Sequence, residues 1–207
     1  MQSQKKMQAF NDNLELMVFE RTRALDQSNQ ELAAANAKMA RLAYSDGLTQ
    51  LANRRAGNEK LERFVKRLSF KSESLALALL DLDHFKQIND SLGHQVGDEV
   101  LIAVAQALES SIRPNDRVFR WGGEEFLLIL PNTQLNDGVD VCHRLAQNIR
   151  NIQAAGAGEV TVSIGLTKVL PDDTCDRVLK LADDALYRAK NDGRDRICVD
   201  DRQALVD

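Results

Sequence analysis

The first forty-odd residues contain neither glycine nor proline, and this restricts them to one kind of structure. Val18, Leu25, Leu32 and Met39 recur every seven residues. Met7, Leu14, Ala35 and Leu42 fall four places before or three places after positions of that row. A spacing of seven with a second apolar position offset by three or four is the a/d seam of a coiled coil. Asn11, Arg21 and Ser28 are polar interruptions of the seam; such positions weaken pairing but fix its register. One amphipathic helix packed on its own domain would show the same periodicity over a shorter span. The length of the seam favours a helix that pairs with a copy of itself, giving a homodimer.

Ser45-Asp46-Gly47 ends that pattern. A second helix is expected over about 53–68, with Leu61, Phe64, Val65 and Leu68 on one face. Leu75–Leu80 reads as a buried strand, and 97–113 as a helix carrying Leu101, Val104, Ala105, Leu108 and Ile112. Val118–Trp121 and Phe126–Leu130 read as strands around Gly122-Gly123. A helix over 138–154, a strand over Val160–Leu166, a helix over 175–191 and a short strand Arg196–Val199 complete the order. The core order βαββαβ predicts an α+β, ferredoxin-like sheet with helices packed on one face. The domains are therefore 1–43, a dimerising linker helix; 44–200, the globular domain; and 201–207, a C-terminal tail.

The formal net charge of −4 leaves no general basic field for a nucleic-acid duplex, so a charged ligand must be held by local cations or metal ions. The N-terminus has no apolar core like that of a signal peptide, and no run approaches the roughly 18 apolar residues needed to span a bilayer. Cys142, Cys175 and Cys198 are odd in number and widely spaced, which fits thiols in a reducing compartment. The expected location is the cytoplasm, alone or as the cytoplasmic part of a larger membrane-bound sensor.

Three segments carry chemistry. Asp81-Leu82-Asp83 follows the apolar strand, so its carboxylates stand at the edge of a rigid sheet where hard oxygens suit Mg²⁺. Arg120-Trp121-Gly122-Gly123-Glu124-Glu125-Phe126 puts two acids on a glycine turn, which is costly unless cations offset them. If hairpin and strand end are sheet neighbours, Asp81, Glu124 and Glu125 converge as a metal site for phosphoryl transfer. In the third segment, Asn89 and Asp98 offer the acceptors and donors of a guanine edge; Asp98 could equally cap the following helix. Lys190 and Arg194 flank a helix end, where they complement its dipole or hold triphosphate oxygens, and Lys86 is a third such cation.

In this order the segments DGLTQLANRR (46–55), DLDHFKQINDSLGHQVGDEVL (81–101), RWGGEEF (120–126), VSIG (162–165) and ADDALYRAKNDGR (182–194) resemble the GGDEF diguanylate cyclase family, in its GGEEF variant. Two small departures are Gln50, where the family often has Gly, and Asp195, where Asn is common. The resemblance implies a palm-type nucleotidyl cyclase fold that condenses two GTP into cyclic di-GMP across a dimer. It implies Mg²⁺ or Mn²⁺, two ions per active site, held by Asp81, Glu125, Glu124 and the Leu82 carbonyl. Glu124 would help deprotonate the 3′-hydroxyl, with Lys86 also in a catalytic role. Guanine would lie against Asn89, Asp98, His94 and Leu101, and phosphates against Phe85, Lys86, Gly122, Gly123, Lys190 and Arg194. Arg113 and Asp116, an RxxD pair, with Arg144, would bind cyclic di-GMP as an inhibitor.

Two other readings compete: a non-catalytic module of the same fold binding GTP or cyclic di-GMP, and a cyclase acting within one nucleotide. The three acids speak against the first, and the Asn89/Asp98 pair and the family-specific strings against the second. The N-terminal helix resembles linkers from an upstream sensor module; docking of a partner protein along it would serve the same end.

Overall fold

The computed structural model describes residues 2–68, 73–153, 156–200 and 202. The chain divides into two units, residues 1–43 and 44–207. Helix α1 (Gln2–Tyr44) makes up the first. Its seam residues Val18, Leu25, Leu32 and Met39 are exposed; the side chain of Asn11 lies outside the described residues.

The second unit contains β1 (Ala52–Asn53), α2 (Arg54–Leu68), β2 (Leu75–Leu82), α3 (Phe85–Leu92), α4 (His94–Ser111), β3 (Arg117–Gly122), β4 (Glu125–Pro131), α5 (Leu135–Arg150), β5 (Val162–Lys168), α6 (Cys175–Asn191) and β6 (Ile197–Val199). The sheet order is β1-β3-β4-β2-β5-β6. Strand β2 is central and antiparallel to both β4 and β5, so its inner four strands are those of the ferredoxin-like order. The one strand absent from the sequence expectation, β1, lies at an edge of the sheet. Two-residue β1 is too short to show a period.

Every residue of β2 is buried, because helices cover both faces of the sheet. Ala76, Ala78, Leu80 and Leu82 face a core shared with Leu101, Val104 and Leu108 of α4 and Leu145 and Ile149 of α5. Leu75, Leu77 and Leu79 face a second core with Leu61 and Val65 of α2 and Val178, Ala182 and Leu186 of α6. This corrects the expectation of helices on one face. The two crossover helices α4 and α5 do share a face, but α2 and α6 lie outside the βαββαβ unit and close the other. The absence of polar alternation in Leu75–Leu82 is the signature of that double burial.

Strand β5 approaches α6 closely. A Cβ at Gly165 would lie 2.1 Å from the Ala182 carbonyl oxygen and 2.3 Å from the Leu186 nitrogen, both backbone atoms that cannot swing aside. At the C-terminus, Arg202, expected in a tail, belongs to the domain. Its guanidinium donates to Asp173, Thr167 and the Lys168 carbonyl, and so neutralises a buried aspartate. The other residues of 201–207 lie outside the described residues.

Gly165→Ala is expected to destabilise the domain by about 3 kcal/mol, the upper range of overpacking costs. Gly47→Ala, where an added Cβ meets nothing within 4 Å, should change stability little. Urea unfolding of the two variants against the parent checks the contrast.

Candidate active site

The Asp81-Leu82 pair lies inside β2 rather than beyond it. Asp81 is directly opposite Glu125 across the β2–β4 ladder, and the Leu82 N–H donates to the Glu124 carbonyl at 3.3 Å. Directly opposed residues on adjacent antiparallel strands share one face of the sheet. Two carboxylates therefore stand side by side at a poorly solvated sheet end. Burial pushes the Asp81 carboxyl above its ordinary range, and nearby Asp83 adds to this. Burial also pushes Glu125 up, with the neighbouring Asp81 charge as the next cause.

One cation already answers this charge. Lys190, in the last turn of α6, places its Nζ 2.8 Å from Asp81 Oδ2. Asp81, Leu82, Phe85, Lys86, Glu124, Lys190 and Arg194 line one open cleft of about 440 Å³. Glu125 instead faces an adjoining cavity of about 310 Å³ with Arg54, Trp121 and Asp183. Among the described residues, no three His, Cys, Asp or Glu side chains form a ready-made cation cage.

The signature turn is held from outside. Arg120 donates through Nε and Nη2 to the Gly123 carbonyl, at 3.2 and 2.9 Å, and through Nη1 to Asp46 Oδ1 at 2.7 Å. Asp46 also accepts from the Thr49 N–H and hydroxyl, each at 2.8 Å. Burial alone would raise Asp46, but the Thr49 and Arg120 donors outweigh it and hold its carboxyl below the usual value. The stretch that ends the coiled-coil pattern is thus also a brace for the glycine turn, a role its residue types do not reveal. Gln50, next in this loop, has a left-handed backbone with φ of 62°, which accounts for glycine being frequent there in the family.

Asn89 sits on α3, an eight-residue helix that sequence periodicity missed because it is so short. It packs over the first turn of α4. A Cβ at Gly97 would lie 2.0 Å from Asn89 Oδ1, so glycine there makes room for the amide. Helix α4 begins at His94 with Gly93 at its N-cap, so Asp98 is not a cap and is exposed. His94 is exposed, and Leu101 is buried in the core. The structure thus brings Asn89 and Gly97 together on the α3–α4 pair.

Away from the cleft, the Asp116 carboxylate is buried and accepts the Arg113 N–H at 3.0 Å, locking the turn after α4. Arg113, Pro114 and Asp116 line a cavity of about 440 Å³. Arg144 donates to the Ser111 carbonyl at the same end of α4.

With this geometry in place, residues 43–196 match the family described as "Diguanylate cyclase, GGDEF domain". The chain belongs to the GGDEF diguanylate cyclase family. It is 43% identical over 155 residues to Diguanylate cyclase DgcM of Escherichia coli (strain K12), covering 75% of this chain and 38% of that protein. This chain therefore spans well under half the length of that relative. The coiled coil and GGDEF domain of DgcB from Caulobacter crescentus, solved in complex with c-di-GMP, superposes with a TM-score of 0.82 at 30% identity, covering 88% of this chain and 98% of that one. Diguanylate cyclase SiaD from Pseudomonas aeruginosa, solved with its activator SiaC, gives a TM-score of 0.74 at 36% identity, covering 96% and 78%. No helix among the described residues is long and apolar enough to cross a membrane.

The opposed carboxylates set a pH dependence. A raised folded-state pKa favours the fold below the unfolded value, and that advantage is lost as pH rises through the folded value. In chelator at neutral pH, Glu125→Gln is therefore expected to melt above the parent, and the difference to shrink as pH falls through the raised folded-state value of Glu125 and to vanish below the ordinary glutamate value of about 4.3. Thermal melts from pH 3.5 to 8 measure it; a constant difference over that range would remove the titrating Glu125 as its cause.

Proposed function

We propose that this chain condenses two GTP into cyclic di-GMP, releasing two pyrophosphates, with one GTP held by each protomer of a homodimer. The observation that carries this reading is the Asp81–Glu125 pair across the ladder, Asp81 lining a cleft with Glu124, Lys190 and Arg194 and Glu125 facing the adjoining cavity. Those donors fit Mg²⁺ or Mn²⁺. Mg²⁺ is usually bound by one or two carboxylates together with substrate phosphates rather than by an all-protein cage. Both carboxyls are pushed up by burial and lack full compensation. Asp81, Glu125, the Leu82 carbonyl and Glu124 would hold two such ions. When bound, these lower the pKa of the 3′-hydroxyl and neutralise phosphate charge.

The chain's own groups do the rest. Lys190, Arg194 and Lys86, with the Phe85 backbone, grip the triphosphate. Gly122 and Gly123 leave the turn open to it. Asn89 and Asp98, with His94 and Leu101, hold guanine. Glu124 accepts the 3′-hydroxyl proton, with Lys86 assisting catalysis by neutralising phosphate charge. The 3′-oxygen bonds to the α-phosphorus of the GTP on the other protomer, and the bond to the β-phosphate oxygen breaks. This arrangement converts an encounter between two nucleotides into a positioned reaction.

The exposed seam of α1 suits parallel pairing, which would bring two equivalent domains together. It equally suits a regulator: an upstream sensor module or a partner protein. The site of action is the cytoplasm, where GTP is supplied.

A GTP turnover assay at increasing protein concentration, with products identified by mass, tests the reading. Cyclic di-GMP and pyrophosphate are expected, at a specific activity that rises with dimer formation. A product made from a single nucleotide, or GTP bound without turnover, would sink it. Glu124→Gln should lower turnover by about 10²-fold, the usual scale of general-base assistance.

Product feedback is the second part of the proposal. Arg113 and Arg144 are exposed, and arginine can present two donors to guanine or to phosphate. Because Asp116 locks its own turn, Asp116→Ala would confound binding with stability, so Arg113→Ala is the clean variant. Added cyclic di-GMP is expected to inhibit the parent non-competitively and Arg113→Ala at least about tenfold more weakly. Equal inhibition of both would leave the stretch a loop end.

A further inference from the structure

The second acid of Asp81-Leu82-Asp83 has no part in the chemistry above, yet it is among the most enclosed charged groups of the domain, 5% exposed. Its carboxylate accepts three donors: the Ser163 hydroxyl at 2.6 Å, the Thr161 hydroxyl at 2.8 Å and the Asp195 N–H at 3.0 Å. A carboxylate has about four lone-pair sites. Three are filled from within the protein, which leaves little for a cation.

What those bonds hold is the loop after α6. Arg194 and Asp195 are consecutive non-glycine residues with φ of 63° and 47°. That left-handed region is uncommon for any residue with a side chain, and such conformations persist only when their surroundings over-determine them. Three anchors do so. The Arg194 N–H donates to the Ala189 carbonyl at 3.0 Å, the Asp195 N–H to Asp83, and the Asp195 carboxylate pairs with Arg150 of α5 at 2.5 Å. Asp195 is a departure from the Asn common in the family; here its charge is matched by Arg150. The strained residue between the anchors is Arg194, which lines the cleft beside Lys190.

We infer that Asp83, with the Arg150–Asp195 pair, is a positioning device that aims the Arg194 guanidinium at the nucleotide phosphates, and that Asp83 is not a metal ligand. The inference rests on the GTP-binding role proposed above. Asn at 83 keeps the shape but has only one acceptor oxygen for three donors, so the loop loses an anchor.

The test is a double-mutant cycle on the full chain, read as KM and kcat for GTP and as equilibrium GTP affinity. Asp83→Asn is expected to raise KM about tenfold while kcat changes less than about threefold. In an Arg194→Ala background it should change KM by less than about twofold, because residues acting through one another are non-additive. Arg150→Ala, at the surface, should raise KM about threefold and also fall silent in that background. The inference is overturned if Asp83→Asn costs the same with and without Arg194, or if its effect is a shift in the Mg²⁺ concentration needed. Should Asp83→Asn not fold, the Arg150/Arg194 cycle decides alone, equal losses in both backgrounds being the contrary result. Absence of cyclic di-GMP from the parent chain would defeat the proposed function instead, and GTP affinities across the same cycle would still decide the loop's role.

Discussion

Because β2 is buried from Leu75 to Leu82, it needs a strand on each edge and a helix layer on each face, and this requirement places the rest of the domain. Antiparallel pairing with β4 sets the register, and the register sets Asp81 against Glu125. A slip of one residue would turn every side chain of the strand to the opposite face and separate the two acids. The packing that stabilises the fold and the geometry that defines the site are thus the same constraint. Covering the second face requires α6, and α6 brings Lys190 and, just beyond it, Arg194 to the cleft.

The site is built at an electrostatic deficit. Two acids share a desolvated strand end, and a short glycine turn lies beside them. Rather than relaxing, the turn is braced by Arg120, which is itself matched by Asp46. On the other side of the cleft, Asp83 and Arg150 restrain a loop with two left-handed residues. Each brace is an ion pair or a charged hydrogen bond with limited exposure, where such contacts are screened less than on an open surface.

Much of this was legible from the sequence. The βαββαβ order and the long helix follow from periodicity and turn chemistry, and that order allows the Asp81 strand and the Glu125 hairpin to be the neighbours that the structure makes them. Other features were not. Helix α3 has two turns and an apolar face of only a few residues, too little for a period to register. Placing α2 and α6 on the second face depends on tertiary packing, of which the all-apolar β2 was the one available sign. The bracing roles of Asp83 and Asp46 were hidden because their partners, Asp195 and Arg120, are 112 and 74 residues away in sequence. Asp116 read as half of an RxxD pair, yet its partner is a backbone amide, which no residue type announces.

The Lys190–Asp81 contact makes one ammonium group common property. In the structure it neutralises the strand-end carboxylate at 2.8 Å. On the function proposed here, the same group is wanted by a triphosphate, and the same carboxylate by a divalent ion. A nucleotide that draws the lysine away vacates Asp81 for the ion, and an ion that occupies Asp81 releases the lysine to the nucleotide. Linkage makes the two effects equal in free energy, so each ligand tightens the other by the same factor. A single change of partner by one side chain would then let the domain discriminate the ion–nucleotide complex from either component alone, with no movement of the backbone.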